Sequence, residues 1–240
     1  MKKAFTLAET LITLIIISII AALTLPVLRQ KYINRVVENK LKKFYFAVNQ
    51  AIDLSEIQYG DKKLWYDSTS TVDYEYDEDG NITSSTPNSD NQEKLETWFN
   101  KYILPYLQYT KAEFDNEGSF TVYLADGSVF QVTGNTSRDW IFYPGDMDKC
   151  IKKYEAAILG YGRCSFSFIF YPISNDDTWV YHYNKGVEPF KHTWDGTESG
   201  LLSGTYGCNE ENDKHASFCT AVIQMNGWKI PDNYPFNVEY

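Results

Sequence analysis

The feature that most constrains this chain is a long uncharged stretch close to its amino terminus. No residue from Thr10 to Leu28 carries a charge, and most of them are leucine, isoleucine or alanine. A helix rises about 1.5 Å per residue, so this stretch is roughly 28 Å long, close to the thickness of the hydrocarbon core of a bilayer. The sequence therefore predicts a helix that can span a membrane.

An ordinary secretory signal explains only part of this region. Such a signal has a basic start, an apolar stretch and a cleavage site of small residues. Lys2 and Lys3 provide the basic start, and Ala22-Leu23-Thr24 is a passable site that would release a secreted enzyme beginning near Leu25. Glu9 does not fit, because an ionised side chain costs about 2 to 3 kcal/mol at mid-membrane, although less near an end.

The first residues resemble the class III signal of type IV pilins and type II secretion pseudopilins. The matching residues are the basic leader Lys2-Lys3-Ala4, the segment Phe5-Thr6-Leu7-Ala8-Glu9 and, further on, Pro26. The resemblance implies that a prepilin peptidase cuts between Ala4 and Phe5 and that the new amine of Phe5 is methylated. Ala4 stands where the family usually has glycine.

The resemblance also implies a role for Glu9 in assembly. A carboxylate among packed apolar helices is tolerated beside a cation, and the cleaved chain has one in the amine of Phe5. Glu9 of an incoming subunit is then expected to approach Phe5 of a neighbour in a filament. The alternative is that Glu9 reaches the membrane face and interacts with the dipole at the start of its own helix.

Beyond the uncharged stretch, apolar residues continue at spacings of three and four, which indicates one face of an amphipathic helix. We expect this helix to extend the first one over 29–60, with a bend at Pro26 and an end at Gly60. Its apolar face is expected to pack against the protein's own sheet rather than against a separate partner. The residues of this face are Ile33, Val37, Leu41, Phe44, Val48 and Ala51 or Ile52.

Residues 61–91 are polar and acidic, which predicts a loop. Within it Glu75, Asp77 and Asp79 precede Gly80 at alternate positions, as oxygen donors do at the start of a calcium loop. The twelfth position, where such a loop has glutamate, is Thr86. A solvated acidic turn is therefore the main interpretation, and a calcium site is the alternative.

The remaining pattern is one helix followed by strands. The helix is predicted from Asn91 to Leu104, with Asp90 and Glu93 as a capping pair and Pro105 at its end. From Ser119 the apolar residues alternate, and Asp126-Gly127 predicts a two-residue hairpin turn. Further strands are predicted over 139–143, 163–173, 179–183 and 218–225.

This order predicts an α+β fold, and it resembles the pilin architecture of a long amino-terminal helix packed on an antiparallel sheet with long loops. The tail from Cys219 to Pro231 is similar to those of larger pseudopilin-like proteins. We expect a leader over 1–4, a membrane-spanning and filament-core helix over 5–28, a helical stem over 29–60 and a head over 61–240.

The four cysteines are even in number and form no CxxC pair, which favours disulfides made outside the cytoplasm. Of the three possible pairings we favour Cys150 with Cys164 and Cys208 with Cys219, because each closes a short loop. More basic residues follow the apolar stretch than precede it. By charge alone, this distribution would keep the head on the cytoplasmic side of the membrane. We place the head outside on the strength of the cysteines and the leader.

Composition and motifs argue against two classes of function. The chain has 22 basic and 32 acidic residues, a net charge of -10, which disfavours direct binding of nucleic acid. His182, His192 and His215 belong to no HExxH or zinc spacing, and Gly200 to Gly204 lacks the spacing of a nucleophile elbow. No motif predicts catalysis, so we expect neither an enzyme nor a resident cofactor.

The expected function is a structural subunit, minor or specialised, of a type IV pilus or a type II secretion pseudopilus. The resemblance implies as partners a prepilin peptidase, other pilin or pseudopilin subunits, an inner-membrane assembly platform and an assembly ATPase, with membrane lipid before assembly. The alternative is a permanently anchored extracytoplasmic protein that binds a ligand or carbohydrate, with aromatic residues around Trp179 to Trp194 as the candidate site.

Overall fold

A computed structural model of the chain describes residues 6–134, 137–173, 176–212 and 214–240. The protein is α+β, with a long amino-terminal helix and two antiparallel sheets. The helices are α1 (Leu7–Tyr59), α2 (Lys62–Trp65), α3 (Ser89–Tyr102), α4 (Met147–Tyr154), α5 (Glu198–Leu202) and α6 (Cys219–Met225). Short 3-10 helices cover Leu104–Tyr106, Ala157–Gly160 and Val180–His182.

The strands form a small hairpin and one larger sheet. The hairpin pairs β1 (Val72–Tyr76) with β2 (Ile82–Pro87). The larger sheet is an antiparallel meander in which each strand pairs with the next along the chain. Its strands are β3 (Tyr109–Phe114), β4 (Phe120–Leu124), β5 (Val129–Val132), β6 (Asp139–Tyr143), β7 (Phe166–Ile169) and β8 (Glu188–Pro189).

Helix α1 is a single helix of 53 residues, so the uncharged stretch and the amphipathic stem are continuous. It continues through Pro26 and ends at Gly60, whose φ of 84° is the positive value that glycine adopts readily. The stripe predicted from the spacing faces the core: Ile33 is partly buried, and Val37, Leu41, Phe44, Val48, Ala51 and Ile52 are each at most 1% exposed. The expectation that this face packs on the protein's own sheet is confirmed.

Phe44 is the centre of the contact between α1 and the sheet. Its ring lies 4.4 Å from that of Phe142 on β6, 5.5 Å from Phe130 on β5 and 5.1 Å from Phe168 on β7, measured between centroids. The strand registers pair Phe130 with Phe142 and Phe142 with Phe166, so aromatic side chains line one face of the sheet. That face and the stem share one hydrophobic core.

Polar contacts fix the register between α1 and the sheet. Glu38 accepts hydrogen bonds from Lys229 Nζ (2.8 Å) and from the backbone N–H of Ile230 (3.0 Å). Lys43 forms an ion pair of 2.9 Å with Asp126, in the turn between β4 and β5. These contacts join the helix to both the carboxy-terminal segment and the middle of the sheet.

The segment 61–91 is not the predicted loop, because it contains α2 and the hairpin β1–β2. The alternation of valine, tyrosine and isoleucine with polar residues supports the strands, and acidic composition masked that alternation in the sequence. Helix α3 begins two residues before the expected Asn91, with Asn88 rather than Asp90 accepting the capping hydrogen bond. Leu104 and Pro105 belong to the following 3-10 helix rather than to α3.

Three strand predictions need correction. The strand expected over 163–173 is limited to β7, because Gly160 O accepts hydrogen bonds from three successive amides, of residues 163–165, and folds them into a turn. Residues 179–183 contain the 3-10 helix Val180–His182, and its buried His182 lies three positions after the buried Trp179. The strand expected over 218–225 is replaced by α6 (Cys219–Met225), since a short apolar run does not by periodicity distinguish a strand from a buried helix.

The predicted hairpin between β4 and β5 is present, but its loop is longer than two residues. The N–H of Gly127 donates to Leu124 O and the N–H of Leu124 donates to Ser128 O, so the loop runs over 125–127 with Gly127 at φ 78°. The strand β3 and the helix α4 were not predicted. The predicted strand 139–143 matches β6.

We expect Phe44→Ala to lower the free energy of unfolding by about 3 to 5 kcal/mol, because it leaves a cavity between three aromatic rings. Phe46→Ala is the matched control, since Phe46 lies on the same helix and is 54% exposed; its effect should stay within about 0.5 kcal/mol. Denaturant unfolding of both variants in detergent measures the difference. Equal effects would contradict the assignment of Phe44 as the central contact.

The ion pair of Asp126 predicts a pH dependence of stability. Burial opposes the charged form, but hydrogen bonds from Ser128 and Lys43 outweigh it and lower the pKa of Asp126 to about 2. A carboxyl whose pKa is lower in the folded than in the unfolded state stabilises the fold above pH 4, and this contribution is lost as the pH falls towards 2. Asp126→Asn should therefore cost roughly 0.5 to 1 kcal/mol at pH 7.

The difference in melting temperature between the native protein and Asp126→Asn should shrink between pH 4 and pH 2. Asp53→Asn, at an exposed position of α1, is the control and should show no such trend. A difference that is constant over this pH range would exclude the ion pair as its cause.

Candidate functional site

The first turn of α1 is closed by a capping box between Thr6 and Glu9. The N–H and the hydroxyl of Thr6 each donate to Glu9 Oε2 at 2.8 Å, and Glu9 N–H donates to Thr6 Oγ1 at 3.3 Å. This arrangement satisfies amides that a helix start leaves without partners. In the single chain, the carboxylate thus lies at the start of its own helix. Ala4 and Phe5 lie outside the described residues.

The first half of α1 projects from the rest of the protein. Side chains on every side of the helix are exposed over 7–29, apart from Ala21, with Leu7 at 79% and Leu23 at 71%. The window of highest mean hydropathy, 2.8, lies in this helix, and none of it is buried. Within the described part of the chain, α1 is the helix that length and composition allow to cross a membrane. It is therefore able to act as a membrane anchor or a signal.

The packed part of the helix begins at Gln30. Gln30 Nε2 donates to Val238 O at 3.0 Å, Ile33 packs against the core, and Val37 is fully buried. The projecting part, from Leu7 to Arg29, is roughly 33 Å long at about 1.5 Å per residue, which is enough to cross the hydrocarbon core of a bilayer. Pro26 lies near the end of this part, about one turn before the first contact with the head.

A buried polar network joins the stem to the last strand. Glu188, 8% exposed on β8, accepts hydrogen bonds from Tyr45 Oη (2.8 Å), Tyr181 Oη (3.2 Å) and Gln224 Nε2 (3.0 Å). Lys191 Nζ donates to Gln224 Oε1 at 3.0 Å, and burial lowers the pKa of Lys191 to about 8. No spacing in the sequence predicts this network, because its members lie on α1, the 3-10 helix Val180–His182, β8, the segment that follows β8, and α6.

Both predicted disulfides are present. Cys150 is bonded to Cys164, with 5.8 Å between their Cα atoms, and Cys208 is bonded to Cys219, with 4.7 Å. The first bridge ties α4 to the start of β7, and the second ties a long loop to the start of α6. Each therefore holds a segment that packs beside the sheet.

A groove of about 560 Å³ lies on the face of the sheet opposite α1. Its floor contains Asp139 and Ile141 of β6 and Ser167 of β7, where Ile141 is paired with Ser167. One wall is the backbone segment 156–158. The other wall carries the aromatic rings of Trp179, Phe190, His192, Tyr206 and His215. The aromatic region around 179–194 thus forms part of a concave surface.

The three histidines lie in two different environments. His182 is fully buried, and its Nε2 accepts a hydrogen bond from the N–H of Lys191 at 3.2 Å. Burial, followed by the charges of Lys185 and Lys191, lowers the pKa of His182 to about 3, so its ring is neutral at pH 7. His192 and His215 line the groove. The described residues place no acid or nucleophile at hydrogen-bond distance from these rings, apart from the Thr193 hydroxyl, 3.3 Å from His192 Nδ1.

The candidate calcium ligands lie in the hairpin β1–β2, and their carboxylates are directed to different partners. Asp77 Oδ1 accepts hydrogen bonds from the amides of Asp79 and Asn81, which closes the turn between the strands. Glu75 accepts a hydrogen bond from Ser84 across the hairpin at 2.8 Å. Over the described ranges, no three His, Cys, Asp or Glu side chains come together in a group that could hold a metal ion.

These features define an α+β protein with an apolar, projecting amino-terminal helix, a sheet packed on its second half and a disulfide-braced outer face. The chain belongs to the family of unknown function DUF6613, which matches residues 27–238. The match begins where the uncharged stretch ends and covers the stem and the head. No curated protein matches the chain. No solved structure matches it either.

The boundary at Gln30 predicts that the projecting helix is dispensable for folding. A variant that begins at residue 29 should be soluble without detergent and contain both disulfides. A variant that begins at residue 40 is the control, because it also lacks Gln30, Ile33, Val37 and Glu38. It should lose several kcal/mol of stability, at about 1.5 to 3 kcal/mol for each buried side chain. Circular dichroism and intact-mass analysis compare the two, and unfolding of the longer variant would contradict the boundary.

Proposed function

We propose that this protein is a non-catalytic subunit, minor or specialised, of a type IV pilus or a type II secretion pseudopilus, with a pilin-like fold. The observation that carries the proposal is that α1 is one helix with two different environments. Its second half is buried against the sheet, and its first half exposes apolar side chains on every side. Such a surface is stable only in lipid or among other apolar helices.

The proposed mechanism is an exchange of one apolar environment for another. Before assembly, the projecting helix lies in the membrane. During assembly, it leaves the lipid and packs among the corresponding helices of neighbouring subunits. Because the helix is apolar on all sides, neighbours can surround it, as in the core of a filament. The contacts of Phe44 and Glu38 hold the head on the stem, so head and helix move together.

Glu9 has a specific role in this mechanism. While the subunit is in the membrane, the hydrogen bonds from Thr6 to Glu9 give the carboxylate partners at the end of the apolar segment. In the filament, the carboxylate approaches the amine of Phe5 of a neighbouring subunit, where the opposite charges compensate each other away from water. This pairing would select the axial register of the incoming helix.

The implied partners are a prepilin peptidase, other pilin or pseudopilin subunits, an inner-membrane assembly platform and an assembly ATPase. The implied location is the cytoplasmic membrane as a single-pass protein with the head outside, and later the filament. The disulfides of the head agree with an oxidising compartment.

A test of the assembly role replaces Glu9 with alanine in cells that carry the assembly machinery. We expect at least a tenfold loss of incorporation into sheared filaments, because the carboxylate no longer compensates the amine of the neighbour. The amount of protein in the membrane should not change. Thr13→Ala, at an exposed position of the same helix, is the matched control, and Glu9→Asp should restore part of the incorporation. Full incorporation of Glu9→Ala would refute the pairing.

Intact-mass analysis of the membrane-extracted protein tests the processing. The expected mass lacks residues 1–4 and includes one added methyl group on Phe5. A protein that retains residues 1–4 with an unmodified amino terminus would instead support the second candidate, a permanently anchored binding protein. The groove on the outer face of the sheet is the observation that favours this second candidate.

A further inference from the structure

The groove lies on the face of the sheet that does not contact α1. Helix α1 packs on one face of the sheet, around Phe142, whereas the groove lies on the other face, around Ile141. Successive residues of a strand point to opposite faces of the sheet, so Phe142 faces the core and Ile141 faces the groove. The groove is therefore a site on the outer side of the head.

One wall of the groove is a row of rings. Trp179 and His192 lie 4.9 Å apart with an interplanar angle of 77°, and His192 and Tyr206 lie 5.3 Å apart with an angle of 70°. His215 continues the row 6.4 Å from Tyr206. Aromatic rings provide flat, weakly hydrated surfaces with polar atoms at their edges. A row of them suits an extended ligand that has both C–H faces and hydroxyl groups.

Some polar atoms at the groove form no hydrogen bond with the described part of the protein. The Thr133 hydroxyl is buried and has no hydrogen-bond partner among the described residues. Over the same ranges, the structure shows no hydrogen bond made by the Tyr206 hydroxyl or by the ring of His215. Because a buried hydroxyl without a partner costs free energy, Thr133 in particular would gain from a ligand that donates or accepts a hydrogen bond.

Among the described residues that line the groove, the charged side chains of Arg138 and Asp139 compensate each other. The guanidinium of Arg138 forms two hydrogen bonds with the carboxylate of Asp139, at 2.9 and 3.0 Å, and lies 4.5 Å from the ring of Trp179. Burial, followed by the nearby charge of Arg138, lowers the pKa of His192, and the charge of Asp176 acts in the opposite direction with a smaller effect. A site of this kind offers hydrogen bonds and ring faces but little attraction for an anion such as a phosphate or a carboxylate.

Each wall is braced by one disulfide. The loop closed by Cys150 and Cys164 contains the wall segment 156–158, and the loop closed by Cys208 and Cys219 contains His215. Tyr206 lies just before the second loop, and its O accepts a hydrogen bond from the N–H of Phe218 at 3.0 Å. Each wall is thus cross-linked internally by its own disulfide, and the volume of the groove is in the range of pockets that hold small ligands.

We propose that this groove is a binding site for a neutral saccharide chain, with sugar C–H faces against His192 and Tyr206 and sugar hydroxyls on Thr133 and His215. The binding does not depend on processing or assembly, so it is independent of the proposed filament role. An exposed saccharide site on the head would let either an anchored protein or a filament attach to a glycan surface.

The test uses the full chain in detergent micelles on an array of immobilised neutral and acidic oligosaccharides. The best neutral oligosaccharide is then titrated by calorimetry against four proteins: the native protein, Tyr206→Ala, His192→Ala and Tyr76→Ala. Tyr76 is the matched control, because it is an aromatic residue 61% exposed on the hairpin β1–β2, away from the groove. Intact mass and circular dichroism confirm that each variant keeps both disulfides and its secondary structure.

We expect at least one neutral oligosaccharide to bind, with a loss of affinity of tenfold or more in Tyr206→Ala and His192→Ala and none in Tyr76→Ala. Thr133→Val, which removes the buried hydroxyl with little change of shape, should weaken binding by about threefold to tenfold. Three results would overturn the proposal: no binding to any neutral glycan, binding to acidic glycans alone, or equal affinity in the folded groove variants and the control.

Discussion

The packing of Phe44 against the aromatic face of the sheet is the contact on which the rest of the structure depends. It attaches the stem of α1 to β5, β6 and β7 at once, and the residues one turn away on either side, Leu41 and Val48, are equally buried. Without this contact, the sheet would expose one apolar face and the stem one apolar stripe. In the folded protein, each of these two apolar surfaces covers the other.

The same helix extends from this core into a segment that packs on nothing within the chain. The change occurs at Gln30, where hydrogen bonding to the head begins, and the family match begins only three residues earlier. A rigid helix across this boundary transmits the position of the membrane or filament segment directly to the head. We therefore regard the continuity of α1 as central to the proposed role, since a flexible linker would leave the head free to rotate.

The face of the sheet opposite α1 is covered less completely than the face that packs on α1. There the core is small, and two disulfide-closed segments cover the strands only in part, with the groove between them. The two covalent bridges add stability to segments that make only this small apolar contact with the sheet. This division, an apolar face for folding and a braced polar and aromatic face outside, allows the outer face to carry a binding site without weakening the core.

The sequence by itself determined the long helix, the buried stripe, the first-turn position of Glu9 and the hairpin near Gly127, and it favoured the disulfide pairs that the structure contains. These are local properties, because helical periodicity, turn residues and short loop closure depend on neighbours along the chain. Only the tertiary structure decided that 218–225 is a helix, that 61–91 contains strands, that Glu188 joins Tyr45 to Gln224 and that Thr133, Tyr206 and His215 share a groove. These depend on contacts between distant segments, since short apolar runs fit a strand or a buried helix equally well and the partners of a buried polar group leave no spacing in the sequence.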